Sequence, residues 1–263
     1  MLKLSGRLEE LAKQIETGET MADIGTDHGF LPIALYVRGI SPKVVMADIS
    51  DKALNRARTH GRGVPGISAD CYRVGDGLSP IKPGEVDVVV LAGMGAILMT
   101  EILAAGSTVA KTVGKFVFQP RNYPAILRHW LYENGFHIVH ESLVLEGRHL
   151  CEIIVAKPDV TKDTKSGGVF ANMEMFNGMQ NNWPKGDIRW EVPPYFGWMD
   201  DPLADEYLQR KLERERRVRR EVQKRQTRDS DHLARLESRI HYLKDLIEKR
   251  ESDDRLRNLH GVG

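Results

Sequence analysis

Between residues 20 and 156 the chain alternates short apolar runs with helix-like stretches, and this alternation restricts it to βαβ units built on a parallel sheet. Strands are expected at 21–24 (MADI), 43–48 (KVVMAD), 68–74 (SADCYRV), 86–91 (VDVVVL) and 115–119 (KFVFQ), with helices near 4–16, 30–39, 51–60, 95–105 and 122–134. After Gly135, "FHIVHESLVLEGRHLCEIIVAKP" contains two β-rich runs around a glycine-containing turn at 146–149, an antiparallel hairpin that closes the sheet edge. The expected fold is α/β, Rossmann-like and mostly parallel.

The rest of the chain is organised differently. Residues 158–202 lose the periodicity but carry Trp183, Trp190, Tyr195, Phe196 and Trp198, too many aromatics for a polar linker. We expect 161–180 to connect, with one helical turn in "NMEMFNGM", and 183–198 to pack against the main domain. From 203 to 263 the pattern is helical and charged. Leu233, Leu236, Ile240, Leu243 and Ile247 follow a 3-4-3-4 spacing, and Leu208, Leu212, Val218 and Val222 form a looser seam. Asp229 or Ser230 would cap the second helix. Two antiparallel helices packed seam to seam are the simplest solution, and a coiled coil joining two chains is the alternative. The domains are thus expected at 1–157, 158–202 and 203–263, in a monomer.

Composition narrows the class. At 41% hydrophobic residues, without any apolar window long enough to span a membrane and without a signal-peptide pattern, the chain is expected in the cytoplasm. Cys71 and Cys151 form no CxxC pair or His/Cys cluster, so reduced thiols and no metal are expected. The net charge of +1 singles out no partner, but its distribution does: residues 207–228 hold ten Lys/Arg against three Asp/Glu. Such a run is often only a solvated helix face. Its excess, with Arg216, Arg217, Arg219 and Arg220 at its centre, favours contact with nucleic-acid phosphates.

The chemistry is read from the turns at one edge of the sheet. The first strand runs into Asp23-Ile24-Gly25-Thr26-Asp27-His28-Gly29, a loop in which a nucleotide-binding pattern would place glycine at 27. The second strand ends in Asp48-Ile49, where an acid can accept both hydroxyls of a ribose. Asp76-Gly77 follows the third strand, with Asp76 placed to accept from an adenine amine, and Ala92-Gly93-Met94-Gly95 follows the fourth. Any one of these is an ordinary turn; four at one edge form a ligand site. A dinucleotide would set its pyrophosphate against Asp27, an unfavourable pairing of like charges. S-adenosylmethionine has no phosphate and carries cationic sulfonium and ammonium groups, so the acid attracts it. Asp23, Gly25, Thr26, His28, Gly29, Asp48, Ile49, Asp76, Gly77 and Gly93 are the candidate cofactor residues.

The segments "LSGRLEELA", "ADIGTDHGFLP", "VGDGL", "LAGMG", "QPRN" and "LRHWLYENGFHI" resemble, in that order, the bacterial tRNA (adenine-N1)-methyltransferases of the TrmK type. The resemblance covers about 2–157, with a further match in the charged C-terminus. It implies a class I methyltransferase domain followed by a helical hairpin, acting on adenine 22 in the D-arm region of tRNA. The stretch 158–200 is longer and more aromatic than the family pattern.

An (Asn/Asp)-Pro-Pro-aromatic turn, which many amino-directed methyltransferases carry after strand four, is absent, which fits a ring nitrogen better than an exocyclic amine. A paired adenine must leave the helix to expose N1, and Met94 is expected to wall the pocket that receives it. Two roles are open to Asp27: offsetting charge on the base through its N6 amine, or binding the methionine ammonium. His28 fits a hydrogen-bonded structural residue better than a base. Arg121 and Asn122 either touch RNA or belong to a solvated loop.

Overall fold

Seven strands form one sheet in the computed structural model, which describes residues 3–159, 183–224 and 230–260. The helical turn expected in 172–179 and the cap at Asp229 lie outside these residues. The chain divides into two compact units, Met1–Lys185 and Gly186–Gly263.

In the first unit the elements run α1 (Gly6–Ala12), β1 (Met21–Ile24), α2 (Phe30–Val37), β2 (Val44–Asp48), α3 (Asp51–Gly61), β3 (Tyr72–Val74), β4 (Val88–Met94), α4 (Ala96–Ala105), α5 (Ser107–Ala110), β5 (Lys115–Pro120), α6 (Pro124–Glu133), β6 (Phe136–Glu146) and β7 (His149–Pro158). The sheet order is β3-β2-β1-β4-β5-β7-β6. The first five strands are parallel; β7 is antiparallel to both β5 and β6, the hairpin expected at the edge.

Strands β1, β2 and β4 read as nearly unbroken apolar runs because helices cover both faces of a parallel sheet. On one face Met99, Leu103, Phe116, Phe118 and Leu131 pack together; on the other, Leu11, Leu31, Leu35, Met46 and Val117. Each such buried side chain contributes about 1.5–3 kcal/mol of transfer free energy. The order reverses beside β1, which pairs with β2 on one side and β4 on the other. A crevice opens at the carboxyl ends of the strands at such a point.

The expected third strand, 68–74, is shorter: 69–71 form a 3-10 turn, and only Tyr72–Val74 pairs with β2. Helix α1 starts at Gly6, with the Ser5 side chain accepting from Leu8 N as its cap, and ends at Ala12, inside the expected 4–16.

The second unit contains α7 (Ile188–Glu191), a 3-10 turn at Pro194–Gly197, α8 (Ala204–Gln223) and α9 (Ser230–His260). Arg239 bonds Glu215 and Arg250 bonds Asp205, so α8 and α9 run antiparallel. Their seam differs from the apolar spacing. Leu208, Leu212 and Val222 are buried, yet the position between them belongs to Glu215, not Val218, and Leu246 rather than Ile247 is fully buried on α9. The stretch 183–198 is expected from the sequence to pack on the main domain; its part from 187 onward makes contacts within the second unit. Phe196 stacks on Tyr207 at 4.8 Å, and the Tyr242 hydroxyl donates to Val192 O at 2.7 Å. The aromatics of this stretch complete the small core that two helices alone would leave open.

Candidate functional site

The loop after β1 turns through three left-handed residues, Gly25 (φ 74), Asp27 (φ 46) and Gly29 (φ 67). Aspartate is one of the few residues with a Cβ that enters this region readily. Position 27 therefore keeps a glycine's backbone conformation and adds a carboxylate. Gly29 has no such freedom of substitution: a Cβ there would stand 2.9 Å from Met46 Sδ and 3.0 Å from Ala57 Cβ. Its absence lets α2 start close against β2 and α3.

Asp23 is buried and accepts a hydrogen bond from Thr26 Oγ1 at 2.6 Å. Burial pushes its carboxyl up to about 6, against the opposing pull of the Thr26 bond and of Arg7. Asp27 is half-exposed. Arg56, on α3, donates to its Oδ1 from Nε (2.6 Å) and from Nη2, and His28 Nδ1 lies 2.8 Å from its Oδ2. The His28 ring stacks on Phe30 (5.2 Å), and Phe30 meets His60 at 4.6 Å. These contacts fix the orientation of the His28 ring.

A cleft of about 260 Å³ opens over this loop. Asp23, Gly25, Thr26, Asp27 and His28 line it, with Ala92 and Gly93 from β4. Arg7 and Leu8 of α1 complete it, and neither was expected there. Arg7 is held by Glu146 (2.8 Å) and by Gln119 Oε1 (3.1 Å). The motif "LSGRLEEL" contains Arg7, but the approach of α1 to the cleft is a tertiary arrangement that no local signal marks.

The other turns lie along the same edge. Asp48 accepts from Ser50 N at 2.8 Å through one oxygen, and Ile49 beside it is 70% exposed, an unusual placement for isoleucine. Asp76 and Gly77 do not join the first cleft. They line a second cavity of about 340 Å³ against Leu98 and Ile102 of α4. A Cβ on Gly25 would come within 3.0 Å of Met94 Cε, so the Met94 thioether lies against the first loop as an apolar wall.

The loop after β5 is fastened to the same turn. Met94 pairs with Pro120, Arg121 N donates to Met94 O at 2.9 Å, and Asn122 Oδ1 lies 3.2 Å from where a Cβ on Gly95 would stand. Arg121 and Asn122 are both exposed there. Tyr123 follows in a left-handed conformation (φ 51), which costs a residue with a Cβ about 1–2 kcal/mol.

In the second unit, Arg210, Glu213, Arg214, Arg216, Arg217 and Arg220 border a groove of about 440 Å³ on α8. Arg214 pairs with Glu191 at 3.0 Å, whereas Arg216, Arg217 and Arg220 have no protein partner among the described residues. Arg219, expected with them, departs from this face: its Nε is buried without a hydrogen bond, because position 219 continues the seam through Leu212, Glu215 and Val222. Among the described residues no cluster of three His, Cys, Asp or Glu could hold a metal ion, and no helix is long and apolar enough to cross a membrane.

A methyltransferase-domain family model matches residues 4–154. The tRNA (adenine(22)-N(1))-methyltransferase of Bacillus subtilis (strain 168) is 32% identical over 177 residues, which are 67% of this chain and 74% of that protein. The crystal structure of the B. subtilis M1A22 tRNA methyltransferase TrmK matches with a TM-score of 0.75 at 25% identity, covering 94% of this chain and 100% of that one. The structure of Streptococcus pneumoniae Sp1610, a putative tRNA (m1A22) methyltransferase, in complex with S-adenosyl-L-methionine shares the fold at a TM-score of 0.72 and 23% identity, covering 93% of this chain and 100% of that one.

Proposed function

The chain belongs to the tRNA (adenine(22)-N(1))-methyltransferase family, and on that premise we propose that it methylates N1 of adenine 22 in the D-arm region of tRNA, with S-adenosylmethionine as methyl donor. The observation that carries the cofactor reading is the pair of carboxylates, Asp23 and Asp27, in a loop whose backbone follows the glycine pattern of nucleotide sites. Such a cleft repels a pyrophosphate and attracts a ligand with cationic sulfonium and ammonium groups.

S-adenosylmethionine supplies, when bound, a methyl group on a positively charged sulfur. Asp23, Gly25, Thr26 and Gly93 would hold its methionine part, and Asp48 would accept from the ribose hydroxyls beside the exposed Ile49. Asp76 and Gly77, at the third turn, would take the adenine end.

Adenine N1 carries its own lone pair, so the protein needs no base to deprotonate it. Its task is to hold the flipped base in line with the methyl group, which by itself can account for much of a rate enhancement. As N1 takes the methyl the purine becomes cationic, and a carboxylate at Asp27 offsets that charge. The structural contacts of His28 agree with a reaction that requires no base.

The arginine face of α8 is the proposed tRNA contact. The seam between α8 and α9 is filled within one chain, which supports a monomer, and a tRNA substrate supports action in the cytoplasm. Purified protein incubated with labelled S-adenosylmethionine and unmodified tRNA should yield 1-methyladenosine at the D-arm position. Labelled RNA bearing a different nucleoside, or no label despite cofactor binding, would overturn the assignment.

A further inference from the structure

Tyr123 has φ 51 and ψ 47, a left-handed conformation in which a Cβ crowds the following carbonyl oxygen. For a bulky residue this is an outlier that requires an explanation. The position is also unusual for tyrosine by helix rules. It is the N-cap of α6, where Ser, Thr, Asp or Asn would accept a backbone hydrogen bond, and Tyr123 provides no such cap. Pro124 disfavours only the right-handed helical form in the residue before it, leaving the extended form open. The side chain is 60% exposed, and its ring and hydroxyl have no partner among the described residues. Packing within the protein therefore does not explain the strain.

The surroundings offer an explanation. Arg121 N, two residues before Tyr123, donates to Met94 O, and Asn122 Oδ1, one residue before it, lies close to Gly95, so this loop sits against the Met94-Gly95 segment at the carboxyl edge of the sheet. That segment, Ala92-Gly93-Met94-Gly95, which the sequence placed after the fourth strand and which forms the end of β4 and the residue after it, contains no aromatic residue to stack on a base. The other rings near the cleft already contact one another: His28 stacks on Phe30, and His60 meets both at a tilt.

We propose that Tyr123 is the platform on which the flipped target adenine stacks, an aromatic contact delivered from the β5 loop instead of the β4 turn. The inference rests on the tRNA-methylation reading above. Its chemical basis is the charge of the product. Methylation at N1 turns a neutral purine into a cation, and the electron-rich face of a tyrosine ring attracts a cation more strongly than a neutral base. A stacked Tyr123 thus stabilises the transition state, in which this charge is forming, more than the bound substrate.

Two variants separate the ring from the backbone turn. Tyr123→Phe keeps the ring, and Tyr123→Asn removes it while tolerating the left-handed conformation. Both are assayed for kcat and KM on tRNA and for S-adenosylmethionine affinity by calorimetry. Binding of a tRNA carrying 2-aminopurine at the target position is followed by fluorescence, since stacking on an aromatic ring quenches it.

The phenylalanine variant is expected within about twofold of wild type. The asparagine variant should lose about tenfold or more in kcat/KM, as expected for a lost base–aromatic stack. Its cofactor affinity should be unchanged, and the 2-aminopurine signal should be less quenched. Wild-type kcat/KM in the asparagine variant, unchanged quenching, or an equal loss of cofactor affinity would each overturn the proposal. Failure of the tRNA reading itself is distinguishable, because it would appear as wild-type protein that methylates no tRNA.

Discussion

Arg56 donates from both Nε and Nη2 to a single oxygen of Asp27, while His28 Nδ1 sits 2.8 Å from the other oxygen. The carboxylate that replaces glycine in the first loop is thus held from α3. Both side chains are about half-exposed, at 45% and 47%, so the pair contributes about 0–1 kcal/mol to folding. Its importance lies in where it holds the charge.

Asp27→Asn should preserve the left-handed turn and reduce kcat by about tenfold or more, with S-adenosylmethionine affinity within about threefold of wild type. Arg56→Gln should alter kcat while leaving the melting temperature nearly unchanged. If Asp27→Asn weakens cofactor binding as much as it slows turnover, the carboxylate instead serves the methionine ammonium. Steady-state kinetics and calorimetry on the same preparations decide between the two.

Asp48→Ala is expected to weaken S-adenosylmethionine binding by about tenfold or more, since a hydrogen bond to a charged group contributes roughly 1.5–3 kcal/mol. Affinity for tRNA should be unchanged. Parallel loss of both would mean that the change damages the fold at the end of β2.

Asp23 makes stability depend on pH. Its carboxyl rises from 3.8 to about 6 through burial, so the folded state holds the proton more tightly than the unfolded state. The group therefore favours the fold most below 3.8 and loses this contribution as pH rises through about 6. The change amounts to ~3 kcal/mol. Asp23→Asn, which cannot ionise, should melt above wild type near neutral pH and match it in acid, while binding the cofactor more weakly. A melting difference independent of pH would show that Asp23 is not buried as a carboxylate.

A second buried charge cluster lies between α6 and the hairpin. Arg128, 1% exposed, donates to Glu141 (2.8 Å) and Glu152 (2.6 Å), and burial lifts the Glu141 carboxyl to about 7. Arg128→Met would strand two carboxylates without their cation, a loss of about 3–5 kcal/mol. Denaturant titration should show that loss near neutral pH and a smaller one in acid, where the carboxylates protonate. An unchanged midpoint at neutral pH would rule out the cluster as a buried ion network.

Arg216, Arg217 and Arg220 face the groove on α8 without a protein partner among the described residues. Replacing all three by Gln should lower the slope of log affinity for tRNA against log salt by about 2–3, since each phosphate contact adds roughly 0.7–0.9. Arg219→Gln should leave the slope alone. If Arg219→Gln flattens the slope as much as the triple change, the assignment of faces on α8 is wrong.

The first, second, fourth and fifth strands could be read from the chain because a parallel sheet covered on both sides demands apolar runs such as VVMAD and VVVLAGM, whereas the short, half-exposed third strand was overextended. The hairpin followed from two β-rich runs about a glycine turn. The seam of α8 was misread because apolar spacing cannot reveal a buried ion pair: Glu215 occupies its position by bonding Arg239, at 3.0 Å and 2.9 Å. The aromatics of 187–199 were visible as residues that must be buried, but nothing local names the surface that buries them.

What the sequence by itself determined is therefore what neighbours along the chain decide: the strands, the turns, the acids at the sheet edge, and an Asp27 able to occupy a glycine's conformation. Only the tertiary structure brought Arg7 of α1 to the cleft, Arg56 of α3 to Asp27 across 29 residues, and the loop of Tyr123 to the turn of Met94. The physical reason is range. Backbone conformation and side-chain periodicity act over a few residues, whereas an ion pair or a shared cleft depends on how packed elements place groups that are far apart in the chain.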